Sequence, residues 1–176
     1  WESGVEEYAE NRRTIAALCE ELGIPIMDGV PHVVGFNKTM DPVGKLNPWQ
    51  HEEEFNQLTT KVPVQLKWHQ WVGVHKMVVN AFQGKPILLM DDVGVGKTIQ
   101  VITAMVVLRN FHHYHTQHGK FPGAFGEFDS TEQWQGQSGN IPSQPFLVIV
   151  PNGLEQQFQN EIYKFLQKSM FDIIPY

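Results

Sequence analysis

The sequence predicts an α/β domain built on a doubly wound parallel sheet, and three observations carry that expectation. Short, continuously apolar runs occur at residues 86–90 and 146–150, the right length for strands and too short for helices, and Phe171 to Ile174 starts a third strand. Helix-length segments follow the first two runs, giving the strand–helix, strand–helix, strand rhythm of right-handed crossovers. Between the first run and its helix lies a glycine-rich turn, Asp91-Asp92-Val93-Gly94-Val95-Gly96-Lys97-Thr98. A run such as Phe146-Leu147-Val148-Ile149-Val150 has no residue suited to water, so it reads as a strand covered on both faces.

The elements follow in chain order. Residues 5–22 place Tyr8, Ile15, Leu18, Cys19 and Leu22 at mostly helical spacing, predicting an amphipathic helix that stops at Gly23 ahead of Pro25. Residues 24–48 are rich in Pro, Gly and Asn and are expected to be irregular or extended. A short helix is expected over 49–59, with Phe55 and Leu58 inward and Glu52, Glu53 and Glu54 on its solvated face. Residues 66–83 form a broad apolar helix, and residues 98–110 a second one without Gly or Pro. Residues 111–145 are polar and rich in Gly, His, Gln and Ser, far beyond a usual αβ loop of roughly 2–6 residues. They read as a surface insertion. Its His112, His113, His115 and His118 have a spacing compatible with Zn²⁺ or Ni²⁺, but no cysteine or carboxylate accompanies them, and a solvated segment is the expectation. A last helix carries Leu154, Phe158, Ile162 and Phe165 on one stripe. The organisation expected is an N-terminal extension, 1–63, and a nucleotide-binding lobe, 64–176, interrupted by the insertion.

Composition narrows the classes. The chain has 176 residues and 41% hydrophobic content, enough for a core. A net charge of −6 argues against a surface that is wholly a nucleic-acid footprint. The single cysteine, Cys19, excludes an internal disulfide framework and reads as a small buried apolar residue of an intracellular protein. No apolar run approaches the ~20 residues of a membrane span. The chain opens at Trp1 without an initiator Met or a secretion signal, which reads as a processed or partial product.

The turn at 91–98 is the chemically informative feature. Gly94 and Gly96 allow φ > 0 and bring backbone N–H groups close to phosphate oxygens. Lys97 supplies a mobile positive charge for β/γ-phosphates, and the Thr98 hydroxyl suits a place on Mg²⁺. The helix that begins there aims its positive dipole end at the same anion. One departure stands out: the glycine expected six residues before the lysine is Asp91.

Three motifs in order resemble the SWI/SNF-type ATPases of helicase superfamily 2. Leu66-Lys67-Trp68-His69-Gln70-Trp71-Val72-Gly73-Val74 resembles that family's glutamine-bearing motif, roughly Leu-Arg-x-Tyr/His-Gln-x-x-Gly-Val. The loop at 91–98 is similar to its Asp-Glu-Met-Gly-Leu-Gly-Lys-Thr, which accounts for Asp91. Residues 146–165 are similar to a following motif, an apolar strand ending in Pro and then a helix. The resemblance covers residues 64–176 and implies the N-terminal part of a RecA-like P-loop lobe that binds ATP with Mg²⁺. It implies that Gln70 hydrogen-bonds the adenine edge, with His69 and Trp68 near the base, core packing being the equal alternative for Trp68. It further implies that Asp91, Asp92, Val93, Gly94, Val95, Gly96, Lys97 and Thr98 cradle the triphosphate, and that Asn152 and Gly153 touch a DNA backbone. The parent enzyme would be a nuclear translocase acting on duplex DNA or chromatin.

Hydrolysis in such enzymes needs an Asp-Glu pair at a later strand and arginines from a second lobe. The carboxylates after Thr98 are Glu127, Asp129, Glu132, Glu155, Glu161 and Asp172, none forming such a pair, and the second lobe is absent from this sequence. The expectation is therefore nucleotide binding without catalytic residues. A degenerate, non-catalytic helicase-lobe interaction module is the alternative, and another kind of nucleotide-binding enzyme a third. A domain ending after its third strand is also expected to expose apolar surface unless the N-terminal segment covers it.

Overall fold

The computed structural model describes residues 13–127, 133, 134, 137, 138, 141 and 144–175. Helix α1 (Ile15–Glu21) begins where the Thr14 hydroxyl accepts a hydrogen bond from Ala17 N, which sets its N-terminus inside the helix expected over 5–22. Residues 1–12 of that expectation lie outside the described residues. One face of α1 buries Leu18 and Cys19, with Leu22 just beyond its end. Burial pushes the Cys19 thiol up to about 12, in keeping with a packing role.

The irregular stretch that follows contains short antiparallel ladders. Strands β1 (Ile26–Met27) and β2 (Val30–Pro31) form a hairpin. It turns at Asp28 and Gly29, whose φ values of 52° and 78° are those of a primed turn matched to strand twist. Strand β3 (Thr39–Met40) pairs with β4 (Val62–Pro63), bracketing helix α2 (Glu52–Gln57). After β3 the Asp41 carboxylate accepts from the N–H groups of Val43, Lys45 and Leu46. Those bonds, Leu46's foremost, hold its carboxyl below the usual range.

Helices α3 (Trp68–Phe82) and α4 (Lys97–His118) pack side by side at the centre of the molecule. Their interface holds Trp71, Val74 and Val78 from α3, with Ile99, Ile102, Val106 and Phe111 from α4. Helix α4 outruns its expected end at 110 because no Gly or Pro interrupts it before Gly119, whose φ of 71° closes it. The first residues of the expected insertion, including its four histidines, are therefore helical. A 3₁₀ helix (Gly123–Glu127) then brings Phe121 and Phe125 onto Phe82 and Phe111 in an aromatic cluster. Strands β5 (Gln133–Trp134) and β6 (Gln137–Ser138) form a third two-residue ladder, and residues 128–132, 135, 136, 139, 140, 142 and 143 of the insertion lie outside the described residues.

Helix α5 (Glu155–Phe165) packs on α4 through Ile162 and Phe165. Its C-terminal end is tied to the N-terminal segment. Asn37 Nδ2 donates to the carbonyls of Lys164 and Leu166, and the Trp49 indole also donates to Leu166. Gly35 O accepts from Gln167 N. The residues before 64 thus share one core with those after it.

The fold is mixed α/β, but the expected parallel sheet is not formed among the described residues. The ladders present are three antiparallel pairs of two-residue strands. Residues 86–90, 146–150 and 171–174 run without ladder partners. Their burial nonetheless alternates as in extended chain: Phe146 and Val148 are 39% and 38% exposed, Leu147 and Ile149 85% and 86%. Of the apolar residues in these runs, Phe171 and Ile173 pack against the core, while Ile87, Phe146 and Val148 stay more than a third exposed. Parallel pairing is characteristic of sheets covered on both faces, and here the runs are largely uncovered. The N-terminal segment packs against the helices and leaves Leu88, Met90, Leu147, Ile149 and Ile174 exposed.

Candidate functional site

The loop at 91–98 stands where α3 and α4 converge. Gly94 and Gly96 take φ of 86° and 88°, a region costly for any residue with a Cβ. Gly96 is the N-cap of the 22-residue α4 and offers no capping side chain, so the first-turn N–H groups of Lys97 and Thr98 face the loop uncapped by it. Val93, at the apex, is 97% exposed. The Lys97 ammonium folds back to donate to Asp91 O at 2.6 Å and Asp92 O at 3.3 Å. The space before Gly94 is open: a Cβ built there would meet nothing within 4 Å. These features fit a bound polyphosphate.

Helix α3 presses its first turn against this loop. Gln70, 8% exposed, donates from Nε2 to Val95 O at 2.9 Å and accepts from Lys67 N at Oε1, satisfying the backbone N–H at the start of its own helix. His69 Nε2 also lies 3.1 Å from Val95 O. Gly96 is required twice over, because a Cβ there would collide with Gln70 Nε2 besides straining φ. Both ends of the Gln70 amide are thus engaged inside the chain. Trp68 turns away from the loop and donates from its indole to Arg13 O.

Two groups at this junction are not singled out by the sequence motifs. Gln100, on α4, is fully buried and donates from Nε2 to Asp91 Oδ2 at 3.0 Å. On the far side of α3, His75 Nε2 lies 2.7 Å from Glu21 Oε2, which also accepts from Arg13. That pair pins α1 to the helix that carries Gln70. Neither carries a sequence signal beyond a polar residue at an inward helix position.

The other expected residues are dispersed. Asn152 and Gly153 are exposed in the turn ahead of α5, where Gly153 takes φ of 91°. His113 is bonded by Gln117, His115 stacks on Phe121, and His118 stacks on Tyr114. Among the described residues no group of three His, Cys, Asp or Glu side chains converges to hold a metal ion. No helix among them is long and apolar enough to cross a membrane. A groove of about 640 Å³ runs beneath residues 144–152 and 171–175, and an apolar pocket of about 180 Å³ lies between Leu22, Val34 and Phe111. Neither includes residues 91–98.

Residues 46–176, well over half of the chain, match the SNF2-related domain family. The chain is similar to the chromatin-remodeling ATPase INO80 of Gibberella zeae, with 28% identity over 141 residues, covering 78% of this chain and 6% of that protein. It is likewise similar to the chromatin-remodeling ATPase INO80 of Sclerotinia sclerotiorum, with 28% identity over 150 residues, covering 80% and 7%. The chain therefore spans less than a tenth of the length of the curated relatives it matches. No solved structure matches it.

Proposed function

The chain belongs to the SNF2-related domain family, and we propose that it forms the ATP-binding portion of an ATP-dependent DNA translocase of the chromatin-remodelling kind. The observation that carries this is Gly96: a glycine at φ 88° caps a long helix that opens with Lys97-Thr98, inside the family match. Backbone N–H groups from Asp92 to Thr98 approach the phosphates, and Lys97 exchanges its two carbonyl partners for phosphate oxygens. The Thr98 hydroxyl takes a place on Mg²⁺, which would neutralise charge on the β- and γ-phosphates. Gln70 meets the adenine edge by giving up one of its two internal bonds. Duplex DNA or chromatin, and a nuclear location, follow from the same family membership.

The lobe itself is proposed to be RecA-like. Residues 86–90, 146–150 and 171–174 become neighbouring strands of its sheet when further polypeptide covers their outer faces. Their alternating exposure supports this, since it is the pattern of extended chain. No Asp-Glu dipeptide occurs in residues 99–176, so the role proposed for these residues is holding the nucleotide.

A second proposal, a non-catalytic helicase-lobe interaction module, is favoured by one observation. Lys97 and Gln70 are each hydrogen-bonded to the chain's own backbone groups. Titration of a fluorescent ATP analogue separates the two. Loss of the charge-assisted bonds in Lys97→Ala should weaken binding by at least about tenfold. Equal affinity in the variant and the parent would eliminate the cradle and leave the module.

A further inference from the structure

We infer that Gln100 is a positioning residue for the phosphate loop and that Asp91 is its anchor point, not a phosphate contact; this rests on the proposed nucleotide site. Gln100 lies completely out of solvent between α3 and α4. Its Nε2 makes one bond, to Asp91 Oδ2, while its Oε1 is buried with no partner. An unpaired buried acceptor disfavours folding, and an apolar side chain of similar size would fill the same space without that cost. What an apolar side chain lacks is the donor that reaches Asp91.

The room for this amide comes from Gly73. A Cβ there would collide with Gln100 Oε1 and press on its amide carbon at 3.0 Å. The arrangement is reciprocal. Gln70 of α3 lies in the notch of Gly96 on α4, and Gln100 of α4 lies in the notch of Gly73 on α3. Gln70 holds the loop near its end through Val95 O, and Gln100 holds it at its start through the Asp91 carboxylate. The Asp91 carbonyl in turn accepts from Lys97 Nζ. A carboxylate at the mouth of a phosphate site repels the ligand unless it is turned away and paired. Gln100 does both, which explains how an aspartate occupies the place of the loop's first glycine.

The test uses the full chain and a fluorescent ATP analogue, with urea denaturation measured beside it. Gln100→Leu should keep or raise the urea midpoint while weakening nucleotide binding about tenfold, the usual worth of a charge-assisted hydrogen bond. Asp91→Ala, at an exposed position, should show the same loss of affinity. Asp91→Asn, which retains an acceptor for the amide, should recover most of it. The Gln100→Leu, Asp91→Ala double variant should be no weaker than either single one. Unchanged affinity in Gln100→Leu and Asp91→Ala, with Lys97→Ala defective, would overturn the positioning role and leave the nucleotide site standing. Unchanged affinity in all three, Lys97→Ala included, would overturn the site and this inference together. A fall in both urea midpoint and affinity for Gln100→Leu, with Asp91→Ala at parental affinity, would also overturn it, marking Gln100 as a packing residue.

Discussion

Gly96 carries three demands at one residue: a left-handed φ of 88°, the N-cap of α4, and contact with the Gln70 amide. Gly94, at nearly the same φ, has open space before it and carries only the backbone demand. Alanine should therefore separate the two positions. Gly96→Ala combines backbone strain with displacement of Gln70 and should cost about 2–4 kcal/mol in urea denaturation, whereas Gly94→Ala should cost about 1–2 kcal/mol. Equal losses would mean that Gln70 does not bear on the loop. The motif makes both glycines legible from sequence, because their conformational need is local. The contact that ranks them is not, since Gln70 lies far away along the chain.

Helix α3 works as a beam between α1 and the loop. Its loop-facing side carries His69 and Gln70, while His75 and the Trp68 indole reach α1 through Glu21 and the Arg13 carbonyl. Glu21 joins Arg13 to a nearly buried imidazole, so Glu21→Ala leaves His75 without its partner. A destabilisation of about 1–2 kcal/mol is expected, discounted for the partial exposure of Glu21. It should be read as a lower urea midpoint with α-helical circular dichroism retained at zero denaturant; an unchanged midpoint would remove α1 as a support of α3. Apolar periodicity announces α1, α3, α4 and α5 in the sequence. It also ends α4 too early, because polarity after residue 110 reads as a loop, although helix termination follows the first glycine at 119.

At the scale of the whole molecule, the helices form a closed core and the strand-like runs do not form a sheet. Leu88, Met90, Leu147, Ile149 and Ile174 are exposed to solvent. Exposed apolar area of this kind drives association. The isolated chain should self-associate at micromolar concentration in sedimentation velocity and bind a hydrophobic dye while folded. Leu147→Lys with Ile149→Lys should reduce both, leaving the unfolding free energy in urea within about 0.5 kcal/mol, the usual range for surface changes. A chain that stays monomeric and dye-free before the substitutions would contradict this exposed arrangement. The N-terminal segment, expected as an extension, joins the core through Leu18, Leu22 and Phe36. It thereby supports the helices of the proposed nucleotide site.

The sequence by itself determined the helices, the glycine loop with its lysine and threonine, and the resemblance that the SNF2-related match bears out. These are encoded in residue order, as apolar spacing, φ tolerance and short motifs. Tertiary structure alone decided that Gln70 and Gln100 grip the two ends of the loop across paired glycines, and that α1 braces the helix between them. It also decided that the three strand-like runs lie open instead of paired. Each of these depends on which distant surfaces meet and whether both faces of a layer are covered, and neither is written in local sequence.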